Sequence, residues 1–78
     1  MTIEIRTPDK SVYSGEVTLV QLPGLGGLFE ILEHHAPMVA ALQQGRAKVQ
    51  DKDGQELFFD LNGGVAEVLH DKVLVLAE

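Results

Sequence analysis

The chain has no cysteine, which removes both a disulfide framework and a thiolate zinc site as ways of holding a small domain together. Basic residues are scarce, six against twelve acidic ones, giving a formal charge of −6 with no two Lys or Arg adjacent. Binding a phosphate backbone takes a basic stripe that releases counterions, so nucleic acid is excluded as a partner. No long hydrophobic run is present either. None exceeds five residues, the length of Val73 to Ala77, against the roughly 20 that cross a bilayer as a helix. The N-terminus also lacks the basic flank and apolar stretch of a signal peptide. The expectation is therefore a soluble chain that starts intact at Met1 and does not insert into a membrane.

What is present suits one folded unit. At 78 residues, 45% hydrophobic and 23% charged, the chain is too apolar for a disordered segment and too short for two cores. Repeats, low-complexity tracts and linkers are absent. In a domain of this size apolar burial only narrowly exceeds the cost of ordering the chain, so a bound partner is an expected source of added stability.

Hydrophobic periodicity predicts strands. Thr2 to Thr7 alternates, with Ile3 and Ile5 on one side, and Pro8-Asp9-Lys10 ends the run. Ser11 to Gly15 reads as a brief strand closed by a glycine turn. In Glu16 to Leu22 the alternation slips between Leu19 and Val20, as a bulge or cover on both faces would make it. Pro23 to Gly27 holds four breakers in five positions and reads as a loop. Leu28 to Leu32 puts Phe29 and Ile31 on one face and Leu28, Glu30 and Leu32 on the other, an apolar outer face that suggests a partner. Pro37 to Gly45 carries helix-boundary chemistry, with Pro at the start, Gly past the end and alanines between, so local propensity predicts helix there. Arg46 to Gln50, the Asp53-Gly54 turn and the alternating Leu57, Phe59 and Leu61 form a hairpin. Gly63-Gly64 opens a further pair, Val65 to Leu69 and Val73 to Ala77, joined by His70-Asp71-Lys72. Short strands with turns every eight to twelve residues indicate an antiparallel sandwich or barrel.

Three groups of residues invite a chemical reading. Glu33-His34-His35 has the ligand types of a metal site, but adjacent side chains in an extended segment point to opposite faces, and the remaining histidine, His70, is far along the chain. Gly24, Gly26 and Gly27 suggest a phosphate loop, yet Leu28-Phe29 follows where such a loop needs Lys and a hydroxyl. Ser11, Ser14, Asp51 and Asp53 sit at turns with no base arranged to activate a nucleophile. No catalytic, cofactor or metal residue is assigned.

Five short motifs in order carry a resemblance. Ser11-Val12-Tyr13-Ser14-Gly15-Glu16-Val17, Leu22-Pro23-Gly24, His35-Ala36-Pro37, Asn62-Gly63-Gly64-Val65-Ala66-Glu67-Val68 and Val73-Leu74-Val75-Leu76-Ala77 resemble the epsilon subunit of F-type ATP synthase, called delta in mitochondria. The likeness spans nearly the whole sequence. It implies an all-β fold, a flattened antiparallel β-sandwich of two sheets with about ten short strands. It also implies that Met38 to Leu42 is strand, with tertiary context overriding the local helix preference.

The resemblance further implies a noncatalytic rotor part that clamps the gamma subunit onto the ring of c subunits, coupling ion-driven rotation to ATP synthesis or hydrolysis at the cytoplasmic face of a bacterial membrane. Gly24, Leu25, Gly26, Gly27 and Leu28 fall where the family approaches the c ring. Relatives often have acidic residues in this loop, in a Gly-Ser-Glu-Gly-Glu-like run. Here Leu25 and Leu28 point instead to backbone or apolar contact. Thr7, His35, Met38 and Ala40 fall at the gamma-facing surface, where His35 either lines the contact or braces its own turn. The helical hairpin that follows the last strand in typical relatives has no counterpart before Glu78, so helix-mediated inhibition and ATP sensing are not expected. Weak self-association through Leu28 and Leu32 is expected when the partners are absent. Two other readings stay open at this level: a generic β-sandwich module that binds an unrelated protein, and a metal protein or enzyme built on Glu33, His34 and His35.

Overall fold

The computed structural model describes Met1–Glu78 as six strands and no helix. These are β1 (Thr2–Arg6), β2 (Ser11–Gly24), β3 (Gly27–Leu32), β4 (Met38–Asp51), β5 (Glu56–Leu69) and β6 (Lys72–Ala77). They form a single sheet in the order β1-β6-β5-β4-β2-β3, and β1 also pairs with β2. Five strands thus close into a ring, a small barrel, with β3 hanging on β2 outside it. β1 occupies the Ser11–Glu16 stretch of β2 and β3 the Leu19–Gly24 stretch.

Ring parity explains the one departure from an antiparallel arrangement. Strands that alternate in direction cannot close a ring of five, because the last meets the first pointing the same way. The mismatch falls between β1 and β6, which pair in parallel from Thr2↔Lys72 to Arg6↔Leu76. Every other pairing is antiparallel.

The expected ten strands in two sheets are corrected to six strands in one closed sheet. Three of the six, β2, β4 and β5, run 14 residues each, and each changes its inward-facing phase midway. In β5 the inward side chains are Leu57, Phe59 and Leu61, then Ala66 and Val68, with the buried Gly63 and half-buried Gly64 between the two sets. In β4 the inward apolar side chains are Met38, Ala40 and Leu42, then Ala47 and Val49. The two shifts lie opposite each other, so Leu57↔Val49 and Val68↔Met38 both stay in register. In β2 the shift accompanies the irregularity between Val17 and Leu19, just before the Leu19–Val20 step at which the alternation slips in sequence. Each long strand therefore reads in sequence as two short ones, and counting it twice nearly restores the expected number.

Glycines make the bend possible. Gly63 and Gly64 have φ of 120° and 136°, a region that side chains rarely tolerate, so they are a crease inside β5 and not the start of a new strand. Gly45 faces Pro23, whose ring leaves no room for a Cβ on β4. Pro23 itself sits where the β2–β4 ladder is interrupted, between Gln21 and Gly24, so its missing N–H costs no ladder bond. Gly15 lies within β2, opposite Ile3, and is not a turn. Met38 to Leu42 is strand, in line with the family resemblance and against the local propensity.

The interior is wholly apolar. Fifteen buried hydrophobic residues form one cluster, with Ile3, Ile5, Val20, Leu22, Ile31, Val49, Val73 and Val75 at its centre and no buried polar group. Burying each such side chain contributes about 1.5–3 kcal/mol, and the β-branched majority suits a pleated surface.

Candidate docking surfaces

The stretch read as a loop, Pro23 to Gly27, is the end of one strand and the start of the next. Gly24 pairs with Gly27 across a two-residue turn, Leu25-Gly26, and Gly27 takes φ of 123°. The tip is tied to β4 at two points: Leu25 N–H donates to the Ala41 carbonyl at 3.2 Å, and the Gln43 Nε2 amide donates to the Gly24 carbonyl at 2.8 Å. Glycine at position 24 lets the Phe29 ring lie directly over the backbone, since a Cβ there would come within 2.8 Å of a ring carbon.

A shallow hollow of about 470 Å³ results, lined by Gly24 to Leu28 together with Phe29, Met38, Ala40 and Ala41. No charged residue lines it. Leu25 and Leu28 stand at its rim, 67% and 66% exposed. Such a surface offers apolar contact and backbone groups, with no nucleophile, acid or base.

The structure thus gathers seven of the nine positions assigned from the resemblance into one place: the five tip residues, Met38 and Ala40. Thr7 and His35 are not part of it. Thr7 lies in the β1–β2 turn, beyond the other end of β2, where its backbone N–H donates to the Lys10 carbonyl at 2.9 Å and its Oγ1 accepts from Lys10 N–H at 3.3 Å. His35 lies between β3 and β4 and donates from Nδ1 to the Ala36 carbonyl at 2.7 Å.

Glu33 and His34 belong to a different assembly. The Met1 ammonium stands 3.3 Å from Glu33 Oε1 and 3.5 Å from Asp71 Oδ2, and it donates to the Val17 carbonyl. His34, at φ of 64°, donates its backbone N–H to Asp71 Oδ1 at 3.3 Å. Asp71 itself sits in the β5–β6 turn, where His70 and Asp71 both have positive φ, as a two-residue hairpin turn requires. These groups fasten the start of β1, the end of β3 and the β5–β6 turn to one another. No group of three or more His, Asp or Glu is disposed around a common ion position.

The clasp has a pH signature. The His34 backbone N–H, joined by the Met1 ammonium, holds the Asp71 carboxyl below its ordinary value of 3.8. Partial desolvation pushes the Met1 amino group down, but the Glu33 hydrogen bond and the nearby Asp71 and Glu33 charges outweigh it and hold the group above 8.0. A depressed carboxylate stabilises the fold above its unfolded pKa and stops doing so as pH falls through its folded pKa. A raised ammonium stabilises below its unfolded pKa and stops as pH climbs through its folded one. With Met1 carrying a free amino group, the clasp contribution is complete between those two ordinary values and declines outside them on both sides. Urea midpoints measured from pH 2 to pH 10 on the native chain and on Asp71→Asn will show a weaker acid-side decline in the variant. Identical acid limbs would mean the contact adds nothing.

One surface was not singled out by sequence reasoning. The outward face of β4, β5 and β6 exposes Val39, Val65, Leu69 and Leu76 by 69%, 42%, 47% and 51%. Its sequence signal is Val73 to Ala77, in which a strand apolar at every position must show one apolar face outside a closed barrel.

Comparison with known proteins follows the same outline. All of residues 1–78 match the family model described as "ATP synthase, Delta/Epsilon chain, beta-sandwich domain". The ATP synthase epsilon chain of Chlorobium limicola is 45% identical over 76 residues, covering 97% of this chain and 86% of that protein. The ATP synthase epsilon chain of Protochlamydia amoebophila is 38% identical over 76 residues, covering 97% of this chain and 52% of that protein. Relatives thus differ in length, and the chain spans most of the first and about half of the second. Among solved structures, a chain of the Euglena gracilis mitochondrial ATP synthase (OSCP/F1/c-ring) superimposes with a TM-score of 0.90 at 21% identity, covering 96% of this chain and 48% of that one. That likeness establishes the fold.

Proposed function

Because the chain belongs to the ATP synthase delta/epsilon β-sandwich family, we propose that it is a noncatalytic subunit of the central stalk of a rotary ATP synthase, where it fastens gamma to the c ring at the cytoplasmic face of a bacterial membrane. The observation that carries this reading is the uncharged hollow at the β2–β3 tip, which joins Gly24–Leu28 to Met38 and Ala40. A torque-bearing connector needs stiffness and adhesive surface rather than a reactive pocket. The closed ring of strands supplies the first and the leucine-rimmed tip the second. Gly24 to Leu28 meets the c ring, while Thr7, His35, Met38 and Ala40 face gamma.

Family membership leaves the unrelated β-module without support. The metal reading has no converging ligand set to rest on, since no three His, Asp or Glu side chains gather around one position.

The test is capture. Immobilised on resin, the chain is expected to retain purified gamma subunit from the same genome and, with gamma present, the detergent-solubilised c ring. Failure to retain gamma at micromolar concentration would overturn the proposal.

A further inference from the structure

Chain termini are poorly ordered unless something ties them down, and here the first residue is tied by its side chain, its carbonyl and its amine. The Met1 side chain is 1% exposed and packs against the apolar core. Its carbonyl accepts a hydrogen bond from the Val17 N–H at 2.9 Å, and the Thr2 N–H donates to the Asp71 carbonyl at 3.1 Å. Both polar groups of the Met1–Thr2 peptide bond are therefore engaged, one by β2 and the other by the β5–β6 turn. The α-ammonium has three hydrogens and three acceptors around it: the Val17 carbonyl and Glu33 Oε1, each at 3.3 Å, and Asp71 Oδ2 at 3.5 Å. The sequence points the other way. Residue 2 is threonine, and a small second residue is what lets methionine aminopeptidase strip the initiator methionine from a new chain.

We infer that Met1 is a retained and unblocked residue: once folded, the chain withholds the Met1–Thr2 bond from methionine aminopeptidase, and the free α-amine is a structural cation of the fold. In the excision, water cleaves the Met1–Thr2 amide, releasing methionine and leaving a new ammonium on Thr2. The peptidase must hold the Met1 side chain in its own pocket with an extended, accessible Thr2 behind it. Both demands require β1 to leave its neighbours, since Thr2 pairs with Glu16 on one side and Lys72 on the other. Cleavage therefore proceeds only from an opened chain, at a rate set by how seldom it opens. Excision also harms the fold. The new ammonium stands at the Asp71 backbone carbonyl, one residue away from Glu33, and a cavity is left where the methionine packed. Acylation of the Met1 amine does harm of another kind, because an amide has one N–H and no charge to offer three acceptors, two of which are carboxylates. None of these contacts depends on a partner subunit.

Three measurements test this. Intact mass spectrometry of the protein purified from its own cells is expected to give a chain that begins with an unmodified Met1. A mass that starts at Thr2, a blocked amine or a longer N-terminus overturns the inference. In the second measurement, purified methionine aminopeptidase is incubated with the folded chain and with a synthetic peptide spanning Met1 to Lys10. The peptide is expected to lose its methionine, and the folded chain to lose it at least about 100-fold more slowly, in proportion to the rarity of opening. Equal rates overturn the inference, since the fold then shields nothing. A peptide that is itself left intact also overturns it, because retention then lies in the local sequence and not in the fold. In the third, the chain is unfolded in urea, stripped of Met1 by chemical synthesis of the shorter form or by the enzyme after dilution, and refolded. Its folding equilibrium is expected to move toward the unfolded state by about 30-fold or more, as for removal of a buried methionine side chain. A urea midpoint equal to that of the native chain overturns the structural role of Met1.

Discussion

Gly64→Ala is expected to cost about 3–5 kcal/mol, the range reserved for backbone strain combined with a core collision. Domains of this kind hold a total of about 5–15 kcal/mol, so the variant will sit at the edge of folding. Two independent faults produce the effect. The backbone there has φ of 136°, and an added Cβ would strike the Leu76 carbonyl oxygen of the neighbouring β6. Neither can relax alone, because Gly64 is paired with Ala77 on one side and Leu42 on the other. Gly26→Ala is the control. Nothing lies within 4 Å of the Cβ it would gain, and an unstrained surface change stays within about 0.5 kcal/mol. Urea unfolding of both variants checks the contrast. A Gly64→Ala midpoint close to the native one would show that β5 can cross the barrel without its crease.

Leu28→Asp carries the largest expected effect on assembly. Leu28 is 66% exposed and stands on the outward side of β3, opposite Pro23, so the isolated fold should change by no more than about 0.5 kcal/mol. At the centre of an apolar contact the same substitution removes an anchor and buries a carboxylate, which weakens association by about 30-fold or more. Retention of the c ring by the gamma-bound chain is therefore expected to fall while circular dichroism and the urea midpoint stay put. Adding Leu25→Asp should deepen the loss. If Leu28→Asp unfolds the chain, Leu28 supports the core; if ring retention is unchanged, the tip is not the contact.

The strand content was legible wherever one face was buried and the other was not. Ile3 and Ile5, Phe29 and Ile31, and the Asp53-Gly54 hairpin all read correctly because each lies within a stretch of constant phase. The continuity of β2, β4 and β5 was hidden for a physical reason. Their inward phase reverses at the crease, and a reversal marked by glycine looks in sequence like an end followed by a beginning. Pro23 to Gly27 misled in the same way, since breakers serve a two-residue hairpin as well as a loop.

Met38 to Leu42 shows the opposite failure. Its alanines and flanking Pro and Gly favour a helix, and only its pairing with Gly64 to Val68, remote in sequence, makes it a strand. The tip residues could be assigned from the resemblance, and the structure adds that Met38 and Ala40 share their hollow.

The parallel seam between β1 and β6 has a consequence for synthesis. It joins β1, made before the other strands of this domain, with β6, made after them, so the nascent domain can pair β1 with β2 and β4 with β5 but cannot shut. Until Lys72 to Ala77 has cleared the exit tunnel, β1 and β5 both present bare backbone to solvent, and they are the places where a chaperone or an unwanted neighbour would attach.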